Sequence, residues 1–65
     1  MKATKSNIVY VVDESGDWEG VYVDGVLRCE DHQIPARYLL KAMGIKFREV
    51  EASVEDRLPK YLEDL

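Results

Sequence analysis

The dipeptide Asp24-Gly25 narrows what this chain can fold into more than any other feature. It separates two runs of strand-favouring residues, Val21-Tyr22-Val23 and Val26-Leu27, by two positions. A two-residue hairpin loop matches the right-handed twist of its strands in the type I′ form. That form needs φ above zero at both central positions, which Asp and Gly tolerate. The stretch Asp17–Glu30 (DWEGVYVDGVLRCE) therefore reads as a tight antiparallel hairpin whose turn sets the register. Val23 is expected to oppose Val26, Tyr22 to oppose Leu27, Val21 to oppose Arg28, and Gly20 to oppose Cys29. Alternation then puts Trp18, Gly20, Tyr22, Leu27 and Cys29 on one surface, and Glu19, Val21, Val23, Val26, Arg28 and Glu30 on the other. Neither surface is wholly polar. One is expected to pack on the helix that follows, and the other to be partly wet or covered by something else. Gly20, in mid-strand, either makes room for Trp18 or a cross-strand side chain or marks a bulge.

Elements on either side follow from their own patterns. Asn7–Val12 (NIVYVV) is a nearly continuous β-branched and aromatic run, as in a strand covered on both faces. Asp13-Glu14-Ser15-Gly16-Asp17 interrupts it with turn formers, so strands over 7–12, 18–23 and 26–30 form a meander. Residues 31–44 predict a helix with Pro35 at its first position. Ala36, Leu39, Leu40 and Met43 lie at i, i+3, i+4 and i+7 as one apolar stripe, with Arg37 and Lys41 off it. Gly44 is a left-handed stop, and Ile45 is placed to touch Leu40 in a Schellman cap. Residues 45–52 allow a fourth strand of imperfect alternation, with Phe47 as buried anchor and Val50 on the opposite parity. Ser53-Val54-Glu55-Asp56 resembles a capping box, while Pro59 would cost an uninterrupted helix about 3 kcal/mol. Val54, Leu58, Tyr61, Leu62 and Leu65 nevertheless keep helical spacing, so a turn at 54–57 and a new helix from Pro59 is the expectation. The fold class expected is α+β: a three- or four-stranded antiparallel meander packed on one helix, plus a short C-terminal helix. Residues 1–6 are expected to be a flexible tail and 7–65 a single small domain.

At 65 residues the chain is one small domain, which buries only about 60% of the surface its unfolded form exposes. Its only cysteine, Cys29, rules out an internal disulfide framework. A reducing, cytoplasmic setting is the corresponding expectation. The polar start Met1–Ser6 is not followed by an apolar run of signal-peptide length, and no stretch approaches the ~18 apolar residues of a membrane span. Thirteen acidic residues against nine basic ones give a net charge of −4, which opposes the phosphate neutralisation behind most nucleic-acid binding.

The run Asp17-Trp18-Glu19-Gly20-Val21-Tyr22-Val23-Asp24-Gly25 resembles a group of small uncharacterised bacterial and phage proteins. They combine a DW-x-G-x-Y-x-D-G hairpin with a short Leu-Leu helix and a Pro-x-x-Leu-x-Asp-Leu tail. Here these correspond to Ile34–Gly44 and Pro59-Lys60-Tyr61-Leu62-Glu63-Asp64-Leu65. The resemblance covers most of the chain and implies a bacterial or phage accessory protein. It implies no catalytic residues.

Candidate chemistry is sparse. Cys29 and His32 have half a zinc-finger spacing, but the chain offers no second cysteine or histidine to complete four ligands. Cys29 packed under the helix and His32 at the strand–helix corner is the structural expectation. Asp13, Ser15, Asp17 and Glu19 alternate like early ligands of a calcium loop, yet Trp18 stands where the sharp-turn glycine is needed. Cys29 with His32 is the one conceivable nucleophile–base pair, and a domain this small is expected to leave little room for a concave site. No metal, cofactor or enzymatic activity is therefore expected.

What remains is surface. Trp18 and Tyr22, with Glu19, Val21, Val23, Val26 and Arg28, form the expected partner patch, because aromatic side chains are enriched where proteins meet. The function expected is a small acidic protein-interaction module, an accessory protein that binds and modulates a host protein, with self-association as a homodimer through the sheet face or an edge strand. The alternative is a nucleotide or single-strand binder that stacks bases on surface aromatics, with Arg28, Arg37, Lys41, Lys46 and Arg48 on the phosphates.

Overall fold

The computed structural model describes residues 7–32 and 34–65; the expected tail over 1–6, and Gln33 within the expected helix, lie outside the described residues. The elements in order are β1 (Ile8–Asp13), β2 (Glu19–Val23), β3 (Val26–Asp31), α1 (Ala36–Ala42) and β4 (Arg48–Ala52), then a 3-10 turn at Leu62–Asp64. One four-stranded sheet has the order β3-β2-β1-β4. β1–β2 and β2–β3 are antiparallel, as the meander requires. Asp24 and Gly25 have φ of 52° and 84°, the two positive values a type I′ turn demands. Asp24 also accepts the Asn7 N–H on its carboxylate and donates its own N–H to the Asn7 carbonyl, each at 2.8 Å. The hairpin tip is thereby tied to the start of β1.

The sheet is mixed, not a purely antiparallel meander. β4 runs parallel to β1, with Val11 opposite Val50 and Asp13 opposite Ala52. A parallel partner needs a crossover connection, usually helical, and α1 supplies it. The chain leaves one sheet edge at β3 and returns at the other as β4.

The register predicted for the hairpin holds only to Tyr22–Leu27. There the pairing slips, so that Val21 opposes Cys29 and Gly20 opposes Glu30. Arg28 is the extra residue of a β-bulge. One inserted residue reverses every side chain beyond it. Cys29 joins the face of Val21 and is exposed, whereas Glu30 turns to the face of Trp18 and Tyr22.

α1 is shorter than the 31–44 helix read from the sequence. Asp31 still belongs to β3, and Pro35 disfavours helical backbone at Ile34, so Pro35 becomes the N-cap and helix begins at Ala36. Its end is as expected: Gly44 has φ of 70°, the Ile45 N–H donates to the Leu40 carbonyl at 2.9 Å, and the Gly44 N–H donates to that of Lys41 at 3.1 Å. These two bonds define a Schellman cap.

The second helix does not form. Residues 53–65 cross the sheet as an extended strap that ends in the 3-10 turn. Side chains and strand backbone capture the amides a helix would have used. Val54 N–H donates to the Asp13 carboxylate at 2.7 Å and Leu58 N–H to that of Glu30 at 3.0 Å. Leu27 N–H donates to the Lys60 carbonyl at 2.7 Å and Leu62 N–H to the Gly25 carbonyl at 2.8 Å. Pro59 again biases the residue before it away from helix. An extended segment covers about 3.3 Å per residue against 1.5 Å for a helix, enough to reach from β1 to the hairpin tip.

The strap, and not α1, covers the face of Trp18 and Tyr22. The core there is Val9, Val11, Tyr22 and Leu58, with Trp18, Leu27, Val50, Ala52, Val54 and Leu62 packed around it. Gly20 makes room for the strap: a Cβ at that position would lie 2.1 Å from Leu58 Cδ1. The expected occupant was Trp18 or a cross-strand neighbour, and the nearby bulge belongs to the opposite strand. On the reverse face Tyr10 and Val21 are buried, and Phe47, half-buried, meets Tyr10 edge-to-face at 6.2 Å.

Candidate interaction surface

The seven patch residues expected from the sequence divide between the two faces. Tyr22 is fully buried and donates its hydroxyl to the Pro59 carbonyl at 2.5 Å, beneath the strap. Burial, with Glu30 and Asp64 nearby, pushes its phenol above the ordinary value. Trp18 is half-buried, donates Nε1–H to Glu30 at 2.9 Å, and meets His32 edge-on at 4.9 Å. Glu30 Oε1 thus accepts from both Trp18 and Leu58 N–H, fastening the strap to β3. Glu19, Val21, Val23 and Val26 lie on the α1 side, Val21 buried. Arg28 is exposed at the bulge.

The exposed apolar surface lies elsewhere. α1 buries none of its residues, and Tyr38 (77% exposed), Leu39 (55%) and Met43 (70%) all face outward. Leu39 and Met43 were half of the stripe expected to bury. Beside Tyr38, between α1 and the sheet, runs an open cleft of about 540 Å³ lined by Tyr10, Val12, Glu19, Ile34, Pro35 and Arg37. The expectation that so small a domain lacks room for a concave site is corrected. Arg37 bridges cleft and sheet through a forked ion pair to Glu49, Nη2 lying 2.6 and 2.8 Å from the two oxygens. The cleft contains no nucleophile beside a base; its ionisable side chains are Tyr10, Glu19, Arg37 and Tyr38.

Charge is segregated along this stretch of the chain, although Glu19 lines the cleft and Glu49 pairs with Arg37. Residues 34–48 carry Arg37, Lys41, Lys46 and Arg48 and not one carboxylate, although acids outnumber bases in the whole chain. Among the described residues only Arg37 of these four is ion-paired. This segregation was visible in the sequence and is the signal that could have located the surface.

The remaining candidates hold no site. Among the described residues no three His, Cys, Asp or Glu side chains group as metal ligands. Asp13, first of the calcium-like series, is occupied with Ser15 and the Val54 N–H, and these hydrogen bonds, Ser15 first, hold its carboxyl below the ordinary value. Cys29 lies exposed on the α1 side of the sheet, not packed beneath a helix. No helix among the described residues is long and apolar enough to cross a membrane. No known protein family, curated protein or solved structure matches the chain.

Proposed function

We propose that the protein is a small acidic protein-interaction module of the cytoplasm, an accessory protein of the bacterial and phage kind its hairpin resembles, which binds and modulates another protein. α1 and the cleft beside it are the contact surface. One observation carries this reading: Tyr38 and Leu39 of α1 and Met43 at its C-cap are all more than half exposed, and no residue of the helix is fully buried. Contiguous exposed apolar surface rimmed by polar groups marks interaction sites, and Tyr is among the residues that dominate them. Binding rather than catalysis fits the cleft's side chains. The test is affinity capture from a bacterial lysate with the wild-type chain and with a Leu39→Glu, Lys41→Glu variant. A stoichiometric protein lost by the variant supports the reading; capture unchanged by the variant refutes α1 as the surface.

A second reading, single-strand binding, is favoured by exposed Tyr38 having Arg37, Lys41 and Lys46 near it in the chain. The net charge of −4 weighs against it. Fluorescence anisotropy of a labelled oligonucleotide at low salt separates the two: no anisotropy rise up to ~100 μM protein removes this reading.

A further inference from the structure

We infer that α1 docks on the acidic end of the strap of a second copy, so that the protein self-associates head-to-tail. This rests on α1 being a contact surface and names one occupant for it. Among the described residues, the five large apolar side chains left exposed fall in two places. Tyr38, Leu39 and Met43 are on α1; Tyr61 (44% exposed) and Leu65 (45%) are at the end of the strap. The first group neighbours Lys41 and Lys46, which have no ion-pair partner among the described residues, while Arg37 is paired with Glu49; the second flanks the exposed pair Glu63-Asp64. Cations beside that second group include Lys60, whose ammonium lies 5.4 Å over the ring of its own neighbour Tyr61, and Arg28, two residues beyond Val26, the strand partner of Tyr61. Each surface therefore has the apolar content of an interface core and the charge that complements the other.

They lie toward opposite edges of the sheet within one chain: Arg37 of α1 is tied to β4, and Tyr61 pairs with Val26 of β3. α1 lies on the face of Tyr10 and Glu49, joined through the Arg37–Glu49 pair beside the β4 edge, while the end of the strap is held at the β3 edge by the Leu27–Lys60 and Leu62–Gly25 hydrogen bonds. A chain cannot satisfy its own helix with its own strap, but its neighbour can. Two different patches meeting make a heterologous contact, which propagates unless rotation closes a ring.

Sedimentation equilibrium over ~10 μM to 1 mM tests this with the whole chain. The wild type should show a mass that climbs past twice the 7.5 kDa chain, and 0.5 M salt should weaken association about tenfold, since the contributing charges are exposed. Two variants change only exposed positions: Leu39→Glu with Lys41→Glu, and Glu63→Lys with Leu65→Lys. Each alone should remain at 7.5 kDa, having lost one of the two patches. Mixed at equal concentration they keep one good helix surface and one good strap surface between them, and should form a dimer and stop there. Trp18 fluorescence, reporting the core, verifies that each variant is folded. A monomeric wild type over the whole range overturns the inference. So does a wild type that halts at a symmetric dimer, or a variant mixture that stays monomeric. Lysate capture that still depends on α1 in a monomeric protein would leave the proposed function standing and remove this inference alone.

Discussion

Replacing Gly20 tests the seating of the strap on the sheet most directly. Alanine there places a methyl 2.1 Å from Leu58 Cδ1 and 3.3 Å from both Leu27 Cδ1 and the Cys29 carbonyl. The backbone contact is tight but tolerable; the Leu58 overlap is not, and that side chain must leave its place. Overpacking of this kind costs about 1–3 kcal/mol, less about 0.5–1 kcal/mol that alanine gains over glycine in a strand. Leu58→Val, which withdraws the δ carbons, should cost about 1 kcal/mol through the methylene removed. In the double variant the methyl introduced by Gly20→Ala enters the vacated space, so the combined loss should be no greater than that of Leu58→Val alone. The coupling is then about 1–2 kcal/mol. That is resolvable by urea denaturation read through Trp18, which packs against the same cluster. Additivity of the two changes to within ~0.5 kcal/mol would show that Gly20 is not there for Leu58.

Other expectations are more local. Tyr22→Phe removes the only hydroxyl bonded to the Pro59 carbonyl and should lower stability by about 1–2 kcal/mol in the same denaturation assay. The Tyr22 phenol is raised in the folded state, so the unfolded chain loses its proton first. Stability should therefore fall as pH rises through about 10 toward the folded value, with a steeper alkaline slope than Tyr22→Phe shows. Asp13 has the opposite sense: its carboxyl is lowered by folding, so its contribution is present above the ordinary carboxylate range and fades as pH drops below it, an acid-side slope that Asp13→Asn should flatten. Cys29 is exposed, so one thiol per chain should react with a disulfide reagent in the native state, without denaturant. Protection would contradict the bulge that turns it outward.

Sequence and structure agree where local chemistry decides, as at Asp24-Gly25 and at the Gly44 cap. They part where the outcome depends on a distant partner. Arg28 carries no bulge signal of its own, yet its insertion reassigns Cys29 and Glu30 and creates the carboxylate that holds both Trp18 and Leu58. Residues 53–65 keep helical apolar spacing, but Val54, Leu58 and Leu62 meet the sheet from an extended backbone, because Asp13, Glu30 and β3 compete for their amides. The parallel β1–β4 pair depends on a crossover whose destination no local pattern states. The candidate surface was half legible. Leu39 and Met43 were visible as an apolar stripe, but its exposure follows from the sheet having been covered by something else.

The strap also fixes the order in which the molecule can be finished. The three-stranded meander over residues 8–31 is complete early in the chain, but its Tyr22 face has no cover until Val54, Leu58 and Leu62 arrive. A ribosome that has delivered the hairpin has delivered an oily surface with nothing to lay on it, and pairing across so long a sequence separation is slow. Closing the core therefore waits until the strap has been made. A chain cut before Leu58 should be a strand-rich fragment that sticks to others of its kind and is cleared by proteases before it can act.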